Sequence, residues 1–202
     1  MIAIIDYGMG NLRSVQKAFE TVGAKAAITQ DAAVLKAARG IVLPGVGAMA
    51  PAVQRLVELN LVAPIEDAIQ NKKPFLGICL GLQLLFDLSD EGGQVKGLGI
   101  CPGKVTRFTQ LKVPHMGWNQ LKINQANSRL FKNLPQNNDV YFCHSYYVSP
   151  QMKDLIAATT DYGIPFTSAI EKDNLFGVQF HPEKSQRLGL QILKNFCTLT
   201  EI

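Results

Sequence analysis

Short apolar runs alternate with stretches of helical period through the first half of the chain. Ile2–Ile5 is an unbroken apolar run of strand length, the pattern of a strand covered on both faces. Gly8 and Gly10 mark a turn, Asn11 stands at a helix-capping position, and Leu12, Val15, Phe19 and Val22 recur at helical spacing until Gly23. Residues 24–28 read as a second strand, 31–38 as a helix, and 41–43 as a strand running into Pro44-Gly45-Val46-Gly47. Residues 49–71 hold two helical segments broken near Asn60, 75–78 are another apolar strand, and 80–88 read as a helix. Strand and helix alternating at this spacing predict a parallel, doubly wound sheet.

The second half changes character. Residues 98–123 carry short β-like runs between turn signals such as Cys101-Pro102-Gly103 and Val113-Pro114. Residues 140–148 and 174–180 read as strands, and a last helix begins near Gln186, with Leu188, Ile192, Leu193 and Phe196 on or near one face. No repeat or linker-like stretch interrupts the chain. The expectation is one α/β domain over residues 1–202, with extra β strands in its second half.

Composition narrows the possibilities. A chain of 202 residues with 47% hydrophobic and 18% charged residues can build a full core and is neither disordered nor fibrous. Net charge is a mild +4 with no Lys/Arg block, which gives no basis for a nucleic-acid or membrane-surface partner. The start, Met1-Ile2-Ala3-Ile4-Ile5-Asp6, does not read as a secretory leader, and no apolar run is long enough to span a bilayer. Four cysteines without a CxxC pair, and three histidines far apart, suggest neither a disulfide framework nor a zinc site. A reduced, soluble, cytoplasmic protein without a metal is expected.

Candidate chemistry starts at Gly77-Ile78-Cys79-Leu80-Gly81, which follows an apolar strand and opens a helix. This is the layout of a nucleophile elbow with Cys in place of Ser. Flanking glycines permit a sharp turn, and a helix N-terminus favours the negative charge of a thiolate. His181-Pro182-Glu183 follows another strand, and Pro182 biases His181 to an extended backbone. Glu183 can then hold one imidazole nitrogen and leave the other for Cys79: nucleophile, base and orienter. Pro44-Gly45-Val46-Gly47 belongs at the same sheet edge, where its glycines can aim N–H groups at a ligand; the N–H of Leu80 can supply a second oxyanion donor. His144 reads as a satisfied structural histidine or as part of a site wall. His115 reads as loop structure, Trp118 and Asn119 as core and turn. Cys101, Cys143 and Cys197 have no elbow and are expected to be inert thiols.

Gly-Ile-Cys79-Leu-Gly-Leu-Gln with His181-Pro-Glu183 about a hundred residues later resembles the triad glutamine amidotransferases. Asp6-Tyr-Gly-Met-Gly-Asn11, Pro44-Gly-Val-Gly47, Pro114-His-Met-Gly-Trp-Asn119 and Gln179-Phe-His-Pro-Glu-Lys-Ser185 narrow it to the family of glutaminase subunits of imidazole glycerol phosphate synthase. The resemblance spans essentially the whole chain. It implies a flavodoxin-like, three-layer fold around a mostly parallel sheet. It implies that Cys79 attacks glutamine, that His181 shuttles the proton, that Glu183 orients His181, and that the N–H groups of Val46 and Leu80 form the oxyanion hole. Gly45, Gly47, Gln83, Glu91 and the His144-Ser145-Tyr146 segment match positions that hold glutamine. Asn11, Trp118, Tyr141 and Lys184 match positions at an intersubunit interface that takes part in signalling. The implied partner is a (β/α)8-barrel cyclase in a heterodimer, receiving ammonia through a water-excluding tunnel, and no cofactor is implied. Leu82 and Met49 replace residues common in the family, both by apolar side chains of similar volume. Rival readings are a glutaminase for a different synthase, a cysteine hydrolase on the same sheet, and a silent regulatory relative. The Asp6–Asn11 loop, the Pro114–Asn119 segment and the complete Cys79, His181 and Glu183 set argue against them.

Overall fold

The computed structural model describes residues 1–136 and 138–200. The first half alternates as its periodicity dictates. It comprises β1 (Ile2–Ile5), α1 (Leu12–Thr21), β2 (Ala26–Thr29), α2 (Ala32–Ala37), β3 (Gly40–Gly45), α3 (Met49–Glu58), α4 (Val62–Gln70) and β4 (Phe75–Cys79). A single helical turn, α5 (Leu80–Gln83), follows directly. Next come β5 (Phe86–Ser89), β6 (Val95–Lys96), β7 (Cys101–Arg107), β8 (His115–Ile123), β9 (Asn138–His144) and β10 (Tyr146–Pro150). The chain closes with β11 (Ile156–Asp161), β12 (Pro165–Lys172), β13 (Leu175–Val178) and α6 (Gln186–Thr198).

A parallel block β2-β1-β3-β4-β13 forms the centre of the sheet. From β13 it continues through β12, β10 and β7 in antiparallel pairings, and β11, β8 and β9 branch from β12. Period-two alternation places the core in two layers. Ile2 and Ile4 pack with Val15, Phe19, Ile192 and Phe196 on the face of α1 and α6. Ala3 and Ile5 pack with Leu35, Leu56 and Ile65 on the face of α2, α3 and α4. The central strands β1, β3, β4 and β13 are thus buried on both sides, as their apolar runs required. Among the described residues no helix is long and apolar enough to cross a membrane.

Several sequence expectations change. The helix expected over 80–88 ends after one turn, and Phe86–Ser89 is a strand paired parallel with β7. Leu82, Leu84, Leu85 and Phe86 are all fully buried, so the run carries no amphipathic period to separate helix from strand. The strand expected over 140–148 breaks at Ser145, where the chain passes from its pairing with β8 to its pairing with β7. Asn11 sits at the N-cap of α1 without a side-chain capping bond. His115 is not loop structure, Trp118 is not core and Asn119 is not in a turn: all three lie on β8, with His115 4% and Trp118 49% exposed.

The topology sets one place for chemistry. The C-terminal ends of β3, β4 and β13 lie side by side, with Gly45 in register with Cys79. The loops leaving these strands carry Val46-Gly47, Leu80 and Gln179–Glu183 to one sheet edge, where α/β folds build their sites.

Candidate active site

Cys79 ends β4 at φ +55°, ψ −109°, a conformation that costs a non-glycine residue roughly 1–3 kcal/mol. The flanking glycines are needed for a different reason from the turn itself. A Cβ on Gly77 would stand 2.7 Å from the Gly81 carbonyl oxygen, and a Cβ on Gly81 would fall on the Leu43 carbonyl oxygen. The glycines let α5 pack directly against β3 and β4, and the sharp turn is borne by Cys79.

His181 follows β13 in an extended conformation (φ −101°, ψ 98°), and Pro182 then starts a short 3-10 turn that contains Glu183. The extended backbone expected at His181 therefore holds and ends there, at Pro182. The turn still brings Glu183 Oε1 to 2.8 Å from His181 Nδ1. Both side chains are buried, 4% and 2% exposed. Glu183 Oε2 is buried with no hydrogen-bond partner among the described residues. The arm is pinned from behind: the His181 N–H donates to the Tyr141 carbonyl at 2.9 Å, and the Ser185 hydroxyl donates to the His181 carbonyl at 2.7 Å.

Burial disfavours the charged form of His181, but hydrogen bonds to Cys79 and Glu183 and the charges of both outweigh it and hold the imidazole well above its ordinary range. A cysteine with an imidazole in reach, whose second nitrogen is held by a buried carboxylate, has the parts needed for acyl transfer through a thioester.

A cavity of about 260 Å³ opens over the cysteine. Its lining includes Val46, Gly47, Cys79, Leu80, Gln83, Glu91, His144, Ser145, Tyr146, His181 and Lys184. Of the residues expected to hold the substrate, only Gly45 is absent from this wall. Gly45 lines a small void behind the site with Asn11, His181 and Glu183. A Cβ there would approach Leu80 Cβ to 3.0 Å and collide with the Tyr7 hydroxyl, so Gly45 is a packing glycine. Glu91 reaches the cavity while one oxygen accepts the Met49 N–H at 2.7 Å, which caps α3. Gln83 Nε2 donates to the Tyr146 carbonyl at 3.0 Å. Beside the cavity, Trp118 meets Tyr141 edge-on at 6.0 Å and Lys184 Nζ lies 5.8 Å from the Tyr141 ring centre. Trp118 is 49% exposed and Met116, two residues before it on β8, is 60% exposed.

Three residues at the site are not singled out for it by sequence. Cys143, expected to be inert, lines the cavity, and its carbonyl lies 3.9 Å from Cys79 Sγ as an acceptor. Gln179 is fully buried and directs its Nε2 at Cys79 Sγ, 3.7 Å away. His115 Nδ1 lies 3.0 Å from His144 Nε2. The tautomers follow from the ends of this chain. His144 Nδ1 must donate to the Tyr146 carbonyl at 2.7 Å, so its Nε2 accepts from His115, whose Nε2 accepts from Asn119 Nδ2 at 3.2 Å. His144 is thus both a satisfied structural histidine and a site wall. The remaining thiols lie elsewhere: burial and the nearby Asp87 push Cys101 up to about 12, against a small lowering from Lys172. Among the described residues no cluster of three or more His, Cys, Asp or Glu side chains could hold a metal ion.

The family model described as glutamine amidotransferase class-I matches residues 3–199. The imidazole glycerol phosphate synthase subunit HisH of Moorella thermoacetica is 53% identical over 199 residues, 98% of this chain and 94% of that protein. The HisH subunit of Syntrophotalea carbinolica is 53% identical over 204 residues, 97% of this chain and 98% of that one. A crystal structure described as a glutamine amidotransferase superposes with a TM-score of 0.79 over 100% of both chains at 14% identity. The crystal structure of a glutamine amidotransferase from Thermotoga maritima does so with a TM-score of 0.66, at 18% identity, over 90% of this chain and 75% of that one. At such identities these structures carry the fold, and the sequence relatives carry the narrower assignment. The chain belongs to the class-I glutamine amidotransferases and, within them, to the HisH subunits of imidazole glycerol phosphate synthase.

Proposed function

We propose that this chain hydrolyses glutamine at Cys79 and passes the ammonia to a cyclase subunit that makes imidazole glycerol phosphate in histidine biosynthesis. The observation that carries the reading is the Cys79–His181–Glu183 arrangement at the floor of a cavity walled by Gln83, Glu91 and the His144–Tyr146 segment. The Cys79 thiolate attacks the side-chain carbonyl carbon of glutamine, and the negative charge moves to the carbonyl oxygen. The N–H groups of Val46 and Leu80 are the donors we assign to that oxygen. His181, held as imidazolium beside Glu183, protonates the leaving nitrogen, which departs as ammonia and leaves a γ-glutamyl thioester. His181 then takes a proton from water as the water attacks the thioester, and glutamate and the Cys79 thiolate are released.

The whole of residues 1–202 serves this one reaction. We assign the partner to a (β/α)8-barrel cyclase in a heterodimer, docked over the face of Met116, Trp118, Tyr141 and Lys184, with Asn11 behind His181. Exposed Met116 and Trp118 support this, because neighbouring large apolar side chains beside a reactive centre favour a partner over water. A dry route for ammonia matters because free ammonia in water at neutral pH becomes ammonium, which cannot attack. The cytoplasm is the compartment we assign, consistent with four cysteines none of which is in a disulfide.

A glutamine-analogue electrophile tests the chemistry. The reading expects one label per chain, on Cys79, slowed by glutamine and absent from Cys79→Ala. Labelling elsewhere, or labelling indifferent to glutamine, contradicts it.

A further inference from the structure

Gln179 is fully buried behind the cavity wall and bridges two residues that line it, Gln83 and Cys79. Its backbone N–H is held by the Ser168 carbonyl at 2.9 Å, so the side chain is delivered to a fixed place. Its Oε1 accepts from Gln83 Nε2 at 3.1 Å, and its Nε2 donates toward Cys79 Sγ at 3.7 Å. Gln83 Nε2 gives its other hydrogen to the Tyr146 carbonyl at 3.0 Å. Each amide fits only one way round. A reversed Gln83 would set its oxygen against the Tyr146 carbonyl, and a reversed Gln179 would set donor against donor at Gln83 and oxygen against the sulfur. With both hydrogens of Gln83 Nε2 committed, its Oε1 is the group left for a ligand.

We infer that Gln179 is a positioning residue, donating to the Cys79 sulfur while orienting Gln83 so that a carbonyl oxygen, which accepts N–H groups, faces the substrate. This rests on the glutaminase reading of the site. The substrate group recognised by Gln83 is then a nitrogen donor, an ammonium or a carboxamide N–H, and not a carboxylate. The other titratable groups that face Cys79 are His181, through a hydrogen bond and its charge, and Tyr7, through charge.

Two variants separate the contacts. Gln179→Glu keeps the volume and the acceptor for Gln83 but replaces the donor to sulfur by a negative charge. Gln179→Leu removes both. Cys79 alkylation by iodoacetamide, followed by peptide mass spectrometry across pH, and steady-state glutamine hydrolysis with the cyclase barrel bound are the readouts. For Gln179→Glu the half-maximal alkylation rate moves up by about one pH unit and kcat falls about 10- to 100-fold, with KM within about three-fold. For Gln179→Leu, KM rises as well, by about ten-fold. Wild-type alkylation profile, kcat and KM in folded Gln179→Glu would overturn the inference. If a variant does not fold, the wild-type chain decides: the side-chain amide resonance of Gln179 must move when Cys79 is alkylated, and a stationary resonance refutes the contact. Absence of glutamine hydrolysis by the wild-type complex would instead sink the glutaminase reading itself.

Discussion

Two pairs of buried groups, each built around histidine, flank the cavity and take opposite charge states. His181 and Glu183 are a charged pair: the carboxylate at Nδ1 and the cysteine on the other side hold the imidazole above its ordinary range against the cost of burial. His115 and His144 are a neutral pair. Burial pushes His115 down to about 4; it also pushes His144 down to about 3, outweighing the bond to the Tyr146 carbonyl, with smaller lowering from His115 and His181. His115 stacks between Tyr162, at 4.0 Å, and Phe142, at 4.8 Å, with no carboxylate partner among the described residues. All three rings are 4–6% exposed, so burial alone does not decide the charge. The partner decides: a carboxylate makes an acid–base group, and a carbonyl makes a fixed hydrogen-bonded strut.

Glu183→Gln breaks the comparison most severely. It keeps the shape but removes the charge that favours imidazolium, and an amide N–H facing Nδ1 selects the wrong tautomer. Glutamine turnover with the partner bound is expected to fall about 10²- to 10⁴-fold in a folded protein. Retention of wild-type turnover would remove Glu183 from the mechanism.

His144→Phe attacks the other pair. It leaves the Tyr146 carbonyl with one donor fewer and His115 Nδ1 without an acceptor. The expected loss is about 2–3 kcal/mol of stability by urea unfolding, with a decrease in turnover of about ten-fold or less. A larger catalytic than stability effect would make His144 a participant in the reaction.

Acid titration sharpens the same contrast. Unfolded imidazoles titrate near 6.5, so between about 6.5 and about 4 the unfolded chain binds protons that folded His115 and His144 refuse. Stability therefore falls as the pH falls through that window, by up to about 1.4 kcal/mol per pH unit for each histidine. His181 has the opposite sign. Its contribution is complete below about 6.5 and is lost as the pH rises through its raised folded value, so it does not contribute to the acid slope. Urea midpoints at pH 7, 6 and 5 measure the slope, and His144→Phe is expected to flatten it.

The smallest effect is expected from Cys143→Ala. Cys143 contributes its carbonyl, rather than its sulfur, to Cys79. Turnover within about three-fold of wild type would follow from a side chain that only lines the wall.

The elbow is legible in sequence because its constraint is local. Gly77 and Gly81 flank Cys79 within five residues, and the packing that excludes a Cβ at either glycine leaves its mark in those positions. His181 and Glu183 are legible for the same reason, two residues apart around a proline. Gln179 is not, because its contact to Cys79 joins residues a hundred positions apart and nothing around either announces it. His115 reads as a loop residue from its place between Pro114 and Met116, yet pairing with β9 makes it part of a strand. The segment into β5 reads as helix because the buried run from Leu82 to Phe86 erases the period that would separate helix from strand. What the chain writes locally can be read from it, and what two distant segments create together needs the fold.

Generation of ammonia at Cys79 for a barrel partner is open to a single measurement. Glutamine hydrolysis by the wild-type chain and by Cys79→Ala, each alone and mixed one-to-one with a (β/α)8-barrel cyclase and its nucleotide ligand, tests it most directly. Low turnover by the wild type alone, strong stimulation in the mixture, and none with Cys79→Ala, which still binds the barrel, is the expected result. Hydrolysis that survives Cys79→Ala, or wild-type turnover that is full without the barrel and unchanged by it, would contradict it.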